Sequence, residues 1–145
     1  MLVLFPFEAK LYERAGVPVA YVGHPLADLL GKFPAPAAVR EQLRLPAAAK
    51  IVALLPGSRV SEVKRLADLF VATAERITES VPGVQFLVPF VSRETRDLFE
   101  TALYRREIGE LSMSMMFGHA HEAMAAADVV LAASGTATLE AALLK

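Results

Sequence analysis

A turn containing glycine, serine and arginine follows a strongly apolar segment near the middle of the chain. Ile51 to Leu55 is a continuous apolar run, and Pro56 ends it just before Gly57, Ser58 and Arg59. The glycine lets the backbone approach a ligand closely, and the start of the next helix carries a positive partial charge. An arginine offers a planar fork that fits phosphate oxygens. These residues in this order could clamp a diphosphate.

The same turn also fits a purely structural interpretation. Ser61 could cap the helix that follows, Glu62 could be an acid in its first turn, and Arg59 could be solvated. Short turns with glycine and serine are common between strands and helices. The residues of this turn alone leave both interpretations open, with Glu62 as a further possible site residue.

A second turn of the same kind follows the apolar segment from Asp128 to Ala133. It contains Ser134, Gly135 and Thr136, whose small side chains leave room for an anion at a helix start. Glu140 lies four residues after Thr136 and so on the same helix face. Its carboxylate could accept hydrogen bonds from two ribose hydroxyls, or it could lie on a solvated face. Two such turns on one sheet could hold both ends of a nucleotide.

The histidines are weaker candidates. His24, between Gly23 and Pro25, could contact a ligand or act as a general acid, but a structural role in a turn is commoner. His119 and His121 precede Glu122, yet a zinc protease motif needs a second histidine four residues after the first. We therefore expect no metal site and nominate His24 only as a possible site residue.

Strands and helices must alternate to place these turns at helix starts. A short helix follows the proline-containing stretch from Phe33 to Ala38, which we interpret as a connector. Later apolar runs predict buried strands, and apolar residues at helical spacing after Arg59 predict a long helix. This alternation predicts an α/β fold, a Rossmann-like parallel sheet with helices on both faces. Later strands are expected at Val84 to Val91, Leu111 to Phe117 and Asp128 to Ala133, with helices from Arg93 to Ile108 and His119 to Ala127.

The composition excludes several classes of protein. The chain has 145 residues, a net charge of −1 and no cysteine. A nearly neutral chain has no overall field to attract nucleic acid, and a chain without cysteine has neither disulfides nor thiolate zinc sites. No uncharged apolar stretch approaches the ~20 residues that a membrane-spanning helix needs.

Several ordered motifs resemble the lipid-A-disaccharide synthase family. The resemblance extends along essentially the whole chain, in order and at suitable spacing. It is carried by Leu4-Phe5-Pro6-Phe7-Glu8, Val22-Gly23-His24-Pro25-Leu26-Ala27-Asp28, Leu54-Leu55-Pro56-Gly57-Ser58-Arg59 and Ala133-Ser134-Gly135-Thr136-Ala137 with Leu139-Glu140.

The resemblance implies one lobe of a glycosyltransferase-B fold. The family transfers 2,3-diacylglucosamine from UDP to 2,3-diacylglucosamine 1-phosphate, with inversion at the anomeric carbon, and needs no bound metal or other cofactor. By motif, it implies that Gly57, Ser58 and Arg59 contact the diphosphate. It places Ser134, Gly135 and Thr136 at the phosphates and Glu140 at the ribose. It also implies a cytoplasmic enzyme, peripheral to the inner membrane of a Gram-negative bacterium, with a lipid acceptor.

We expect the chain to be a truncated piece of such an enzyme. Residues 1–30 would be the segment that enters the lobe, and residues 31–145 would be an incomplete nucleotide-sugar-binding lobe. The catalytic base would lie in another lobe, and the piece alone would be inactive. Two alternatives stay open: the donor lobe of another glycosyltransferase-B enzyme or UDP-sugar epimerase, and a non-catalytic nucleotide-binding module.

Overall fold

The computed structural model describes residues 1–106 and 111–144. The chain divides into two compact units, Met1–Phe33 and Pro34–Lys145. The second unit contains both turns singled out from the sequence.

The first unit is a small βαβα arrangement. Its two short strands pair in parallel, Leu2 with Ala20 and Val3 with Tyr21. Glu8 stabilises the first helix start, because its carboxylate accepts hydrogen bonds from the backbone N–H groups of Leu4 and Phe5. The elements are β1 (Leu2–Val3), α1 (Pro6–Arg14), β2 (Ala20–Tyr21) and α2 (Pro25–Leu30).

The second unit is a parallel sheet with helices on both faces, as the sequence predicts. Each strand is joined to the next through a helix, which is the connection that parallel strands require. Its elements are α3 (Pro36–Gln42), β3 (Ile51–Leu55), α4 (Val60–Ser80), β4 (Gln85–Phe90), α5 (Arg93–Arg105), β5 (Met113–Phe117), α6 (Ala120–Ala126), β6 (Val129–Ala132) and α7 (Thr136–Leu144).

The strand order is β5-β4-β3-β6, and all three pairings are parallel. Within this sheet, β3 comes first in the chain, and β4 and β5 are added on one side of it. The chain then returns and places β6 on the other side of β3. This reversal is the topological switch point of a doubly wound sheet, where loops diverge and ligands bind. It lies between β3 and β6.

The core lies between the sheet and the helix pair α4 and α5. Alternate residues of β3 and β4 face these helices and are buried against them. All five residues of β3 are buried, because α6 covers the opposite face. The largest fully buried side chains are Phe86, Phe90 and Phe99, and Phe90 and Phe99 pack with their ring centroids 5.4 Å apart.

Two expectations about local structure need correction. Residues 36–38 are not a connector, because α3 already begins at Pro36. Helix α2 was not anticipated, although Pro25 occupies its first turn. Both errors share a cause: proline at the first helical position already has a helical φ and loses no hydrogen bond there. Part of the predicted end of α5, up to Ile108, lies outside the described residues.

Arg40 ties α3 to the amino-terminal edge of the sheet. Its side chain is only 15% exposed. It donates hydrogen bonds to the backbone oxygens of Ala126 and Ala47, at 2.8 and 3.0 Å, and to the carboxylate of Asp128 at 2.9 Å. The other carboxylate oxygen of Asp128 accepts from the Ile51 N–H at 2.8 Å. This network joins α3, the end of α6 and the starts of β3 and β6.

We expect Arg40→Ala to lower the free energy of unfolding by about 1–3 kcal/mol, because partly buried carbonyl oxygens lose their charged donor. Urea denaturation followed by circular dichroism measures the change. Arg65→Ala is the matched control, since Arg65 is exposed on α4 and should change stability by less than about 0.5 kcal/mol. An Arg40→Ala protein as stable as the control would contradict the assigned role.

The same network makes the free energy of unfolding depend on pH. The hydrogen bond from Ile51 holds the pKa of Asp128 below its usual value, aided by Arg40 and opposed by desolvation. A carboxyl whose folded pKa is lowered stabilises the fold above its ordinary pKa, and this contribution disappears as the pH falls through the lowered value. Asp128→Asn should therefore reduce the loss of unfolding free energy between about pH 6 and pH 3. The same substitution at exposed Asp68 should leave that loss unchanged in urea titrations at both pH values.

Candidate functional site

The two predicted turns lie side by side at the carboxyl ends of adjacent strands. Leu55 and Ala132 are paired in the β3–β6 register. Immediately after them, the Ala133 N–H donates to the Leu55 carbonyl oxygen at 2.9 Å. The turns of residues 56–59 and 133–135 therefore flank the switch point, which is the position at which a doubly wound sheet binds its ligand.

In the first turn, the Glu62 carboxylate accepts the hydrogen bonds of the loop. One of its oxygens, Oε2, accepts from the backbone N–H groups of Ser58 and Arg59, at 3.1 and 3.2 Å. The other, Oε1, lies 2.9 Å from Nη1 of Arg59. Helix α4 begins at Val60, so the helix does not use Ser61 as its cap. An internal carboxylate thus accepts from three donors of the turn that was suggested for a phosphate, including one nitrogen of the Arg59 guanidinium.

Gly57 is needed for this arrangement. Its φ is +129°, a conformation that residues with a side chain rarely adopt. A Cβ atom added at Gly57 would lie 2.7 Å from Cβ and 2.8 Å from Oε2 of Glu62. The close approach expected at this glycine is therefore made by Glu62 of the same chain.

The charge of Glu62 is stabilised by its surroundings. Its pKa lies below the usual range, first because of the hydrogen bond from the Arg59 N–H, with further contributions from Ser58 and the Arg59 guanidinium; desolvation acts in the opposite direction. Two groups of donors stay accessible. The Arg59 side chain is 79% exposed, and the first N–H groups of α4, at Val60 and Ser61, have no acceptor within the helix. This end of the turn can still hydrogen-bond an anion.

The second turn is open. Ser134, Gly135 and Thr136 are all exposed, and apart from its chain neighbours no described residue has an atom within 4 Å of a Cβ position built at Gly135. The Gly135 carbonyl oxygen accepts from the Thr138 hydroxyl at 2.7 Å, which closes the first turn of α7. The N–H groups at the start of α7 thus lie beside small side chains, and a phosphate could approach them.

Glu140 does not lie on a freely solvated face. Its Oε2 atom is 3.1 Å from Nε2 of His121 on α6, and the two side chains are 20% and 32% exposed. Helices α6 and α7 pack against each other. The carboxylate suggested for ribose recognition therefore has a fixed neighbour from another helix.

The remaining candidates have structural partners. His24 caps α2, since its Nδ1 accepts from the Leu26 N–H at 3.2 Å. His119 precedes α6 with a left-handed backbone and lies 3.2 Å from the Glu122 carboxylate. No group of three or more potential metal ligands occurs among the residues that the structure describes. None of the helices in the described part of the chain has the length and apolar character that a membrane crossing requires.

A cavity of about 660 Å³ opens at the opposite edge of the sheet. It lies beside the Arg40–Asp128 network, at the amino-terminal ends of β3 and β6, and contains none of the residues nominated from the sequence. Ligands of doubly wound sheets bind at the carboxyl ends of the strands. The switch point is therefore the better candidate site, despite the size of this cavity.

Sequence reasoning placed Glu62 in the first turn of α4, as the structure does, but it missed the hydrogen bonds from the loop to Glu62 and the partner of Glu140. The anchoring of the loop by Glu62 has a local signal, since an acid at the third helical position commonly accepts N–H groups before the helix. The pairing of His121 with Glu140 has no such signal. These residues are 19 positions apart on different helices, and only their packing brings them together.

Comparison with known proteins gives one family over the whole chain. The family described as lipid-A-disaccharide synthetase matches residues 1–145. Proteins named lipid-A-disaccharide synthase from Methylobacillus flagellatus and Azoarcus sp. are 58% and 60% identical to the chain. One from Pseudomonas aeruginosa is 50% identical. Each match covers 100% of this chain but only 37% or 38% of the relative, so the chain spans less than two fifths of their length.

The geometry at Gly57 yields a stability prediction. Gly57→Ala should lower the free energy of unfolding by about 1–3 kcal/mol through backbone strain, with a further loss because the new Cβ displaces Glu62. Gly83→Ala is the control: Gly83 also has a positive φ, of +76°, but nothing lies within 4 Å of its Cβ position. Urea denaturation should show a larger loss of unfolding free energy for Gly57→Ala than for Gly83→Ala. Equal losses would contradict the close contact assigned to Gly57 and Glu62.

Proposed function

Because this chain belongs to the lipid-A-disaccharide synthetase family, we propose that it supplies the UDP-binding part of a glycosyltransferase. The enzyme would transfer 2,3-diacylglucosamine from UDP to 2,3-diacylglucosamine 1-phosphate and release UDP. The observation that carries the proposal is the adjacency of the two turns at the switch point between β3 and β6. One uridine nucleotide bound there would contact both turns.

The proposed contacts follow from the donors at each turn. Arg59 would donate to the diphosphate, while Gly57 and Ser58 shape the loop that presents it. Ser134, Gly135 and Thr136 would surround a phosphate at the start of α7, where the helix carries positive partial charge. Glu140 would accept hydrogen bonds from the ribose. The exposed guanidinium and the open second turn support these assignments.

Glu62 has a defined part in this proposal. Its ion pair with Arg59 restrains a long exposed side chain, and its two backbone hydrogen bonds hold the loop. The pair has no net charge. Attraction of the diphosphate would therefore depend on the direction of the remaining N–H groups and on the α7 dipole more than on net positive charge.

The chemistry of such a site would be electrostatic. The bond between the anomeric carbon and the diphosphate oxygen breaks as the acceptor hydroxyl attacks from the opposite side. Negative charge then grows on the departing UDP, where fixed N–H donors stabilise it more than they stabilise the bound substrate. The acceptor hydroxyl must also lose a proton to a base. The proposal assigns that base to the part of the enzyme outside this chain.

The substrates suggest where the whole enzyme would act. Donor and acceptor would both carry acyl chains, which partition into a bilayer. We therefore place the whole protein in the cytoplasm, bound peripherally to the inner membrane of a Gram-negative bacterium.

The test uses a chimera in which this chain replaces the matching segment of the Methylobacillus flagellatus relative. Arg59→Ala should weaken UDP binding by roughly 10- to 150-fold, the equivalent of about 1.5–3 kcal/mol for a charged hydrogen bond. Isothermal titration calorimetry measures the affinity, and a radiolabelled transfer assay measures the reaction.

Arg65→Ala is the matched control, because Arg65 lies on the same helix and is exposed. It should bind UDP as the unsubstituted chimera does. Uridine, which has no phosphate, should bind equally to all three proteins. Equal UDP affinity in the Arg59→Ala protein, or an unsubstituted chimera without transferase activity, would refute the proposal.

A further inference from the structure

His121 and Glu140 form a pair at the same edge of the sheet as the two turns. His121 lies in the first turn of α6, which begins shortly after the carboxyl end of β5. Glu140 lies in α7, which begins after the carboxyl end of β6. The two helices pack together, and the imidazole Nε2 lies 3.1 Å from the carboxylate Oε2.

The direction of this hydrogen bond follows from the chemistry of the two groups. An ionised carboxylate only accepts hydrogen bonds, so the Nε2–H of His121 must donate. Oε1 of Glu140 has no hydrogen bond among the described residues. The carboxylate is thus held through one oxygen and can accept through the other.

The degree of burial favours a positioning role. At 20% exposed, the Glu140 side chain is restrained yet still reachable by a ligand. A free glutamate loses considerable rotamer entropy when a ligand fixes it, and a neighbour that fixes it beforehand removes part of this cost. A ribose diol, which presents two hydroxyl donors close together, suits such a carboxylate.

We propose that His121 is a positioning residue for ribose recognition: it holds the Glu140 carboxylate where the 2′- and 3′-hydroxyls of a bound uridine nucleotide donate to it. This inference rests on the proposed function, because it assumes that the nucleotide lies at the switch point. It extends the proposed nucleotide site to a residue outside both turns, and it explains why the site would prefer a ribonucleotide to a deoxyribonucleotide.

The experiment compares UDP with 2′-deoxy-UDP by calorimetry, in the chimera described above. The unsubstituted protein should bind UDP about tenfold or more tightly than the deoxy compound, the effect expected for one hydrogen bond to a charged group. His121→Ala and Glu140→Gln should each reduce this preference severalfold, with a smaller loss of affinity for 2′-deoxy-UDP, which keeps only its 3′-hydroxyl. His121→Gln, whose amide nitrogen can replace Nε2–H, should restore most of the preference.

His119→Asn is the matched control, since His119 contacts Glu122 and asparagine tolerates its left-handed backbone. It should keep the full preference for UDP. If His121 were purely structural, His121→Ala would lower the affinity for UDP and for 2′-deoxy-UDP by the same factor. That result, or any other in which the preference for UDP is unchanged in His121→Ala, would overturn the proposal.

Failure of the proposed function gives a different pattern. In that case Arg59→Ala would bind UDP normally. If Arg59→Ala weakens UDP while the unsubstituted protein does not distinguish UDP from 2′-deoxy-UDP, the phosphate site stands and only the His121–Glu140 inference is wrong.

Discussion

The pairing of β6 with β3 is the constraint on which the candidate site depends. Had β6 extended the sheet beyond β5, the two turns would lie at opposite sides of the sheet. Instead, Ala132 pairs with Leu55 and both turns follow at the same edge. The return of the chain from β5 across the sheet is made through α6, which packs on the face opposite α4 and α5. The sheet topology therefore creates both the adjacency of the two turns and the contact between α6 and α7.

The stabilising hydrogen-bond network and the candidate ligand site lie at opposite edges of the sheet. At the amino-terminal edge, Arg40 and Asp128 pair with each other and satisfy backbone groups at the end of α6, at the start of β3 and in the loop between α3 and β3. At the carboxyl edge, Ser134, Gly135 and the Arg59 side chain are exposed. These contacts fix the relative positions of β3 and β6, because Asp128, which directly precedes β6, hydrogen-bonds Ile51 at the start of β3. The strands that carry the two turns are therefore held in place before any ligand arrives.

Glu62 shows how a site can be prepared by its own chain. Its carboxylate satisfies two N–H groups at a helix start, where a negative charge is stabilised. Gly57 permits this contact, and Arg59 is restrained by it. The residues that suggest a phosphate loop are thus partly explained by an internal carboxylate. Both explanations hold together if the ligand uses the donors that Glu62 leaves.

The sequence was enough to predict the α/β class and most elements, because buried strands and amphipathic helices have distinct apolar periodicities. It also determined which turns are rich in small residues and charge, and the order of its motifs indicated the family. It did not reveal α2 or the start of α3, where proline suits both a turn and a first helical residue. The folded structure was needed to show that the turns adjoin and that His121 meets Glu140. The strand order and the last of these contacts join residues far apart in the chain, and local periodicity carries no information about such packing.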